Sequence, residues 1–211
     1  MEYLNSIHEA VLEGNAAATQ EGVKIALSNG IPAETILNQG LIVAMNEVGR
    51  LFEEKEYFVP EMLVAARAMQ SGLAVLKPHL VASGVPSAGC VVIGTVKGDL
   101  HDIGKNLVAM MLEGGGFAVV DLGTDVPPAK FVEAVQQHRP QVVGLSALLT
   151  TTMGGMEATI QALKEAGVRD QVKVVVGGAP VTDDYAKRIG ADGYSPDAGA
   201  VVRMVKSLLS A

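Results

Sequence analysis

The chain has 211 residues and a formal net charge of −7, which argues against nucleic acid or an anionic membrane surface as its partner. Its length allows one large domain or two small ones. Aromatic residues make up only 4% of the sequence and Trp is absent, a composition that suits helices packed on a parallel sheet.

The sequence also indicates the cellular compartment of the protein. No apolar run approaches the ~20 residues that span a bilayer. The start, Met-Glu-Tyr-Leu-Asn, lacks the basic residues and apolar core of a signal peptide. The single cysteine, Cys90, excludes an internal disulfide and fits a reducing compartment. We therefore expect a cytoplasmic protein in which Cys90 is a small buried apolar residue and not a nucleophile.

Residues 1–82 carry only helical patterns and no residues that suggest catalysis. Apolar residues recur at helical spacing over 3–12, 16–27, a third segment from about Pro32 to Phe52, and 61–80. The segment 58–60, Phe-Val-Pro, is predicted to interrupt the pattern before the fourth helix. Four helices joined by short turns predict an antiparallel bundle.

Residues 83–89, Ser-Gly-Val-Pro-Ser-Ala-Gly, are small and rich in Pro and Gly, which predicts a linker to a second domain over 90–211. In that domain strands and helices alternate, so we expect a parallel sheet with right-handed crossovers. Five such units predict a Rossmann-like, flavodoxin-like α/β fold of strand order 2-1-3-4-5 with helices on both faces. The predicted strands are 90–96, 118–122, 142–146, 172–176 and 191–194, and the predicted helices are 106–113, 128–138, 155–166, 183–189 and 199–209.

The loop after the first predicted strand carries Asp99-x-His101-x-x-Gly104. His101 can present a neutral imidazole nitrogen to a metal, and Asp99 can accept the other ring N–H and fix the tautomer. Gly104 would let the backbone lie against a large ligand. Open α/β sheets place their ligands at the carboxyl ends of the strands, where this loop begins.

Other interpretations of this loop are weaker. A phosphate-binding P-loop has four residues between its first Gly and the Gly-Lys pair, whereas Gly98 and Gly104 have five between them and Asn106 follows Lys105. Nor does the loop match the Gly-x-Gly-x-x-Gly dinucleotide pattern. Taken alone, an Asp-x-His is usually a hydrogen bond that closes a turn, so other residues must decide.

Those residues stand at the ends of the third and fourth predicted strands. Ser146-Ala-Leu148 ends the third strand, Thr150 follows closely, and Gly177-Gly178 ends the fourth. In the predicted order strands 1 and 3 are neighbours, so all three segments meet along one edge of the sheet. They predict a slot lined by glycines and small hydroxyls, with a metal ligand at its mouth, for an extended planar or nucleotide-like ligand.

The succession of Asp-x-His-x-x-Gly, Ser-x-Leu and Gly-Gly at 99–104, 146–148 and 177–178 resembles the signature of cobalamin-binding domains of the methionine synthase type. The resemblance covers almost the whole chain, because 45–52 and 57–60 resemble the family's helical cap domain. The chain looks most like the stand-alone corrinoid proteins of methylamine, methanol, betaine and aryl-ether methyltransferase systems.

The resemblance implies a cobalamin (vitamin B12) cofactor, as methylcobalamin or another corrinoid with its cobalt. His101 would be the lower axial ligand of cobalt in place of the cofactor's own dimethylbenzimidazole, which Ser146 would contact. Asp99 would hold the imidazole N–H. Thr152 aligns with a family serine that continues this relay. The further residues that the resemblance assigns to the cofactor are Asp102, Ile103, Gly104, Leu148, Thr150, Gly177 and Gly178.

Phe52 and Val59 align with cap residues over the methyl position, where the family often has Leu in place of Val59. Their spacing alone favours ordinary bundle core instead. If the resemblance holds, residues 83–89 are the hinge that lets the cap open to a partner.

The function implied is a methyl carrier between a substrate-specific methyltransferase and a second methyltransferase serving tetrahydrofolate or coenzyme M. A corrinoid reactivating protein is a further expected partner. Such a subunit of a multi-component cobalamin-dependent methyltransferase system is not expected to turn over alone, and the methyl donor is not identified. The alternatives are a cobalamin-dependent sensor, disfavoured because we expect no DNA-binding segment, the small subunit of a radical mutase, disfavoured by the cap-like bundle, and cobalamin storage.

Overall fold

The computed structural model describes residues 2–83 and 87–210, with the side chain of Val81 left out. The chain divides into two compact units, one formed by Met1–Ala88 with Glu113–Gly116 and the other by Gly89–Leu112 with Phe117–Ala211. The division after Ala88 falls within the predicted linker 83–89, of which residues 84–86 lie outside the described residues.

The first unit is helical around an apolar core that includes Ile7, Leu41, Met62 and Leu76. Asn15 caps the second helix, where its side-chain oxygen accepts a hydrogen bond of 3.0 Å from the Ala18 N–H. The helical segments are α1 (Glu2–Leu12), α2 (Ala16–Ser28), α3 (Ala33–Thr35), a π-helical stretch (Ile36–Ile42), α4 (Val43–Glu53) and α5 (Val59–Ala82).

Two details of this unit differ from the sequence-based prediction. The third predicted helix is continuous from α3 to α4, since the backbone is right-handed helical at both Ile36 and Val43, but it contains the wider π-helical turns between them. The fourth helix begins at Val59, two residues earlier than predicted. Pro60 stands in its first turn, where a missing N–H removes no helical hydrogen bond.

The second unit is a five-stranded parallel sheet in the order β2-β1-β3-β4-β5, which confirms the predicted fold and strand order. Its central strands are apolar because a parallel sheet covered on both faces buries nearly every side chain. The strands are β1 (Cys90–Thr95), β2 (Ala118–Asp121), β3 (Val142–Ser146), β4 (Lys173–Gly177) and β5 (Gly193–Tyr194), and the helices are α6 (Ile103–Gly114), α7 (Pro128–His138), α8 (Gly154–Glu165), α9 (Asp183–Ile189) and α10 (Val201–Ser210).

The start of α6 was predicted three residues too late. The Asp102 carbonyl accepts the Asn106 N–H at 2.8 Å, and the Asp102 carboxylate accepts the Asn106 side-chain amide at 3.1 Å. These bonds begin the helix at Ile103 despite the poor helix propensity of Gly104. Gly104 therefore lies in the first helical turn and not in the loop.

Candidate functional site

The site lies at the carboxyl edge of the sheet in the second unit. The strand register pairs Thr95 of β1 with Ser146 of β3, and Ser146 with Gly177 of β4. These three strands therefore end side by side, and the loops that follow them leave the sheet from the same place. The chain passes from β1 to β2 on one side and then to β3 on the other side, so the strand order reverses between β1 and β3. This fold class binds its ligands at such a point.

Asp99 is the centre of this edge, since its side chain is fully buried and joins two loops. Its Oδ1 accepts hydrogen bonds from the His101 backbone N–H at 3.0 Å and lies 2.7 Å from the ring Nδ1 of His101. Its Oδ2 accepts bonds of 2.7 Å from both the Leu148 N–H and the Thr152 hydroxyl. The structure thus brings together His101, Asp99 and Thr152, although Thr152 lies 53 residues from Asp99 in sequence.

The negative charge of Asp99 determines the tautomer of a neutral His101. Burial alone would raise the pKa of the Asp99 carboxyl, but the hydrogen bonds from Thr152, His101 and Leu148 outweigh it and hold that pKa well below its usual range. An ionised carboxylate can only accept, so the proton of a neutral His101 is on Nδ1. Nε2 then keeps its lone pair on a side chain that is 51% exposed.

The surroundings of His101 are apolar although they face solvent. Leu100 and Ile103 are each 73% exposed, and Leu148 and Leu149, on the loop bonded to Asp99, are exposed as well. Such a group of large apolar side chains at the surface typically marks a binding site. An apolar ring system that lay on the imidazole would cover them.

Two of the predicted site glycines, Gly178 and Gly104, differ in whether the packing of the chain requires a glycine. A Cβ at Gly178 would lie 1.8 Å from the Ala147 carbonyl oxygen, and its φ of +133° is essentially restricted to glycine, so the fold itself requires Gly178. A Cβ at Gly104 would meet no heavy atom of the chain within 4 Å. The packing of the chain therefore gives no steric reason for a glycine at this position.

A metal ion at this site would need most of its ligands from a cofactor, because the protein offers few. Within residues 2–83 and 87–210 no group of three or more His, Cys, Asp or Glu side chains could hold a metal ion. His101 offers one nitrogen, and a cobalt ion already held by the nitrogens of a corrin ring needs only an axial ligand from the protein. The residues present therefore fit a corrinoid.

The remaining predicted residues occupy varied positions. Ser146 is half-buried at the end of β3, whereas Asp102 and Thr150 are exposed. Phe52 and Val59 belong to the first unit, where Phe52 is half-buried in α4 and Val59 is 38% exposed at the start of α5. For Val59 this exposure differs from the ordinary core position that its spacing suggested.

Sequence reasoning missed two buried polar residues of this edge. Thr95 is fully buried, and its hydroxyl donates a 2.9 Å bond to the His101 carbonyl. Lys105 is buried in α6, where its ammonium contacts the carboxylate of Asp121 at the end of β2. A threonine at a strand end is too common a feature to stand out. A lysine after the signature glycine gives no sign of burial until the path of β2 is known.

Comparison with known families and proteins shows what the whole chain resembles. A family model described as a B12 binding domain matches residues 89–203, and a second B12 binding domain model matches residues 3–77. The trimethylamine corrinoid protein of Methanosarcina barkeri is 46% identical over 211 residues, with 99% of this chain and 97% of that protein covered. Dimethylamine corrinoid protein 3 of Methanosarcina acetivorans is 42% identical, with 98% and 96% covered.

Two solved structures also resemble the chain. A chain of the methanol:cobalamin methyltransferase complex MtaBC from Methanosarcina barkeri matches with a TM-score of 0.87 and 32% identity, covering 99% of this chain and 80% of that one. A cobalamin-binding protein from Desulfitobacterium hafniense DCB-2 matches with a TM-score of 0.82 and 34% identity, covering 97% and 98%.

Proposed function

We propose that this chain, which belongs to the B12 binding domain family, carries a methyl group on the cobalt of a bound cobalamin between two methyltransferases. The observation that carries the proposal is the line of hydrogen bonds from Thr152 through Asp99 to His101, which ends in an exposed imidazole nitrogen. The methylamine corrinoid proteins and the methanol methyltransferase complex that resemble this chain support it.

In this proposal His101 Nε2 would bind the cobalt of the corrinoid. Leu100, Ile103 and Leu148 would lie against the macrocycle, since these exposed apolar side chains otherwise contact water. The slot predicted beside Ser146, Gly177 and Gly178 would receive the nucleotide tail, whose base His101 would replace. Asp102, Gly104 and Thr150 complete the set of residues assigned to the cofactor.

When bound, the corrinoid supplies a cobalt centre that can take up a methyl group from one partner's substrate and give it to another. The chain's own residues control the imidazole. Asp99 accepts the Nδ1 proton and thereby keeps Nε2 available as a ligand, and the Thr152 hydroxyl holds the carboxylate in place.

The first partner would be a substrate-specific methyltransferase, and a methylated amine is the favoured donor. The tri- and dimethylamine corrinoid proteins are 46% and 42% identical to the chain, whereas the matching chain of the methanol complex is 32% identical. A second methyltransferase serving tetrahydrofolate or coenzyme M and a corrinoid reactivating protein are the further partners proposed. The roles of residues 1–82 as a cap, with Phe52 and Val59 over the methyl position, and of residues 83–89 as a hinge stay predictions.

Within the described residues no helix is both long and apolar enough to cross a membrane. We place the protein in a reducing cytoplasm because it has a single cysteine. Cys90 is half-buried and not fully buried as expected, but its partial burial still raises the pKa of the thiol, which keeps it in its less reactive protonated form.

The test is transfer of labelled methyl from trimethylamine by a trimethylamine methyltransferase to the cobalamin-loaded chain, whose cobalt has first been reduced to Co(I) with a chemical reductant. A methanol methyltransferase with labelled methanol is the comparison. We expect label on the protein-bound corrinoid only when chain, methyltransferase and substrate are all present. Cobalamin binding without label from any methylamine or methanol methyltransferase would leave storage as the better account.

A further inference from the structure

Asp125, in the loop between β2 and α7, makes two hydrogen bonds to the loop that carries His101. Its Oδ1 accepts the Gly98 N–H at 2.7 Å, and its own N–H donates to the Asp99 carbonyl at 2.9 Å. The two bonds enclose the Gly98–Asp99 dipeptide from both ends. Asp125 therefore fixes the backbone from which the Asp99 carboxylate projects.

The backbone of Asp125 adopts an unusual conformation at this contact. Its φ is +53°, in the left-handed region that non-glycine residues seldom adopt. The other described non-glycine residues with positive φ include Arg139, which ends α7 in the usual left-handed cap and needs no other explanation. Asp125 is not at a helix end. A glycine would adopt its conformation freely, as Gly123 does at +84°, but would leave the Gly98 N–H without its acceptor.

The same loop is joined to the base of the site by the next residue. The Val126 N–H donates to the Thr95 carbonyl at 2.9 Å, and the Thr95 hydroxyl donates to the His101 carbonyl. The segment 125–126 thus holds the His101 loop near its beginning at Thr95 and in its middle at Gly98 and Asp99. Gly98 itself has a φ of +86°, which turns the chain at this point.

We infer that Asp125 is a positioning residue for the metal ligand, which acts by holding the Gly98–Asp99 backbone so that Asp99 reaches His101 and Thr152 together. The inference rests on the proposed function, because it assumes that His101 binds cobalt. The hydrogen bonds of Asp125 to this loop go to the Gly98 N–H and the Asp99 carbonyl, so its effect passes through the main chain. Sequence motifs of the site do not include it.

Three variants separate the possible effects of Asp125. Asp125→Asn keeps a side-chain oxygen acceptor and a residue that tolerates positive φ, so it should retain the function. Asp125→Gly removes the acceptor without backbone strain, and Asp125→Ala removes the acceptor and adds strain. Arg139→Gly is the control, since it changes a positive-φ residue at the far end of α7.

Two measurements report on the site without an activity assay. Hydrogen exchange of the Leu148 amide in the cofactor-free protein reports whether the Asp99 carboxylate is in place, because that amide donates to Oδ2. Electron paramagnetic resonance of the Co(II)-cobalamin form reports the fraction with a histidine nitrogen on cobalt. In Asp125→Gly we expect faster Leu148 exchange, a reduced histidine-bound fraction and about tenfold weaker cobalamin binding, the lower end of losses for groups behind a metal ligand.

Asp125→Asn and Arg139→Gly should match the native protein in all three measurements. If Asp125→Gly folds with native Leu148 exchange and a native histidine signal, the inference is wrong while the proposed ligation stands. If the native protein itself shows no histidine nitrogen on cobalt, the ligation fails and the inference fails with it. Should Asp125→Ala not fold, Asp125→Gly still decides the question.

Discussion

Two polar networks stand at opposite edges of the same sheet and use their charges differently. At the amino edge the Arg169 guanidinium donates to Asp192 at 2.7 Å and to the carbonyls of Gly190 and Val172, and Asp192 also accepts the Val174 N–H at 2.6 Å. These bonds join the beginnings of β4 and β5. At the carboxyl edge the bonds of Asp99 instead lead outward to His101.

The difference lies in where each network ends. The Arg169 side chain is only 13% exposed and its described bonds finish on backbone groups and on Asp192, so this network stabilises the fold. The His101 side chain is 51% exposed and presents a nitrogen lone pair to the outside, among exposed apolar residues. A buried carboxylate that holds an exposed imidazole is the feature that, in our proposal, distinguishes the candidate site from a structural ion pair.

The largest expected effect is on stability, at the amino edge. Asp192→Ala removes the charged acceptor of the Arg169 guanidinium, which keeps only two carbonyl acceptors, and it leaves the Val174 N–H without its acceptor. We expect a loss of about 3 kcal/mol in the free energy of unfolding. Cobalamin affinity of the folded protein should not change. Urea unfolding checks the first and equilibrium titration the second. The neighbouring exposed Asp170→Ala, expected to change stability by less than ~0.5 kcal/mol, is the control.

At the carboxyl edge the pattern should reverse. His101→Ala removes one hydrogen bond of an exposed ring, so the free energy of unfolding should fall by no more than about 1 kcal/mol. Cobalamin affinity should fall by about 100-fold, because loss of the ligand itself should cost at least as much as the largest losses seen for groups behind a ligand. The bound corrinoid should lack a histidine ligand. If His101→Ala binds cobalamin as tightly as the native protein, the carboxyl edge would not differ from the amino edge in binding the cofactor, and the comparison would fail.

Gly104→Ala tests the same distinction without a charged group. The added methyl meets no atom of the chain within 4 Å and alanine is the better helix former, so stability should be unchanged or rise by up to about 1 kcal/mol. Cobalamin affinity should fall by about tenfold because the methyl occupies space that the ligand would use. Unchanged affinity together with unchanged stability would show that nothing lies against this turn.

The smallest effect is expected at Thr152, where the resemblance places a serine. Thr152→Ser keeps the hydroxyl that donates to Asp99 at 2.7 Å, so cobalamin affinity should change by less than about twofold. Thr152→Val, of nearly the same shape but without the hydroxyl, should weaken binding measurably more. Equal affinities for these two variants would mean that the hydroxyl does not support the carboxylate.

Much of the fold could be predicted from local patterns. The limits of β3 and α7 are as predicted, because a short apolar run and a Pro-initiated amphipathic segment are both bounded by turn residues. The strand order follows from alternation of strands and helices. The start of α6 could not be predicted from local patterns, because the hydrogen bonds between Asp102 and Asn106 outweigh the low helix propensity of Gly104.

The site was predictable where its residues are close in sequence or belong to a known signature. The two-residue spacing of Asp99 and His101 suggested their hydrogen bond, and only the resemblance suggested Thr152. The contacts of Thr95, Lys105 and Asp125 depend on how the ends of β1 and β2 lie side by side. A positive φ at an aspartate has no sequence signal, so Asp125 emerged only from the structure.

The central claim is that His101, held by Asp99, is the axial ligand of cobalt. The most direct test is electron paramagnetic resonance of the Co(II)-cobalamin form, with protein grown on ordinary and on ¹⁵N-labelled histidine. We predict a nitrogen splitting that changes from triplets to doublets on labelling and is absent in His101→Ala. A splitting that the histidine label does not alter, as the cofactor's own benzimidazole would give, or no nitrogen splitting, would contradict the account.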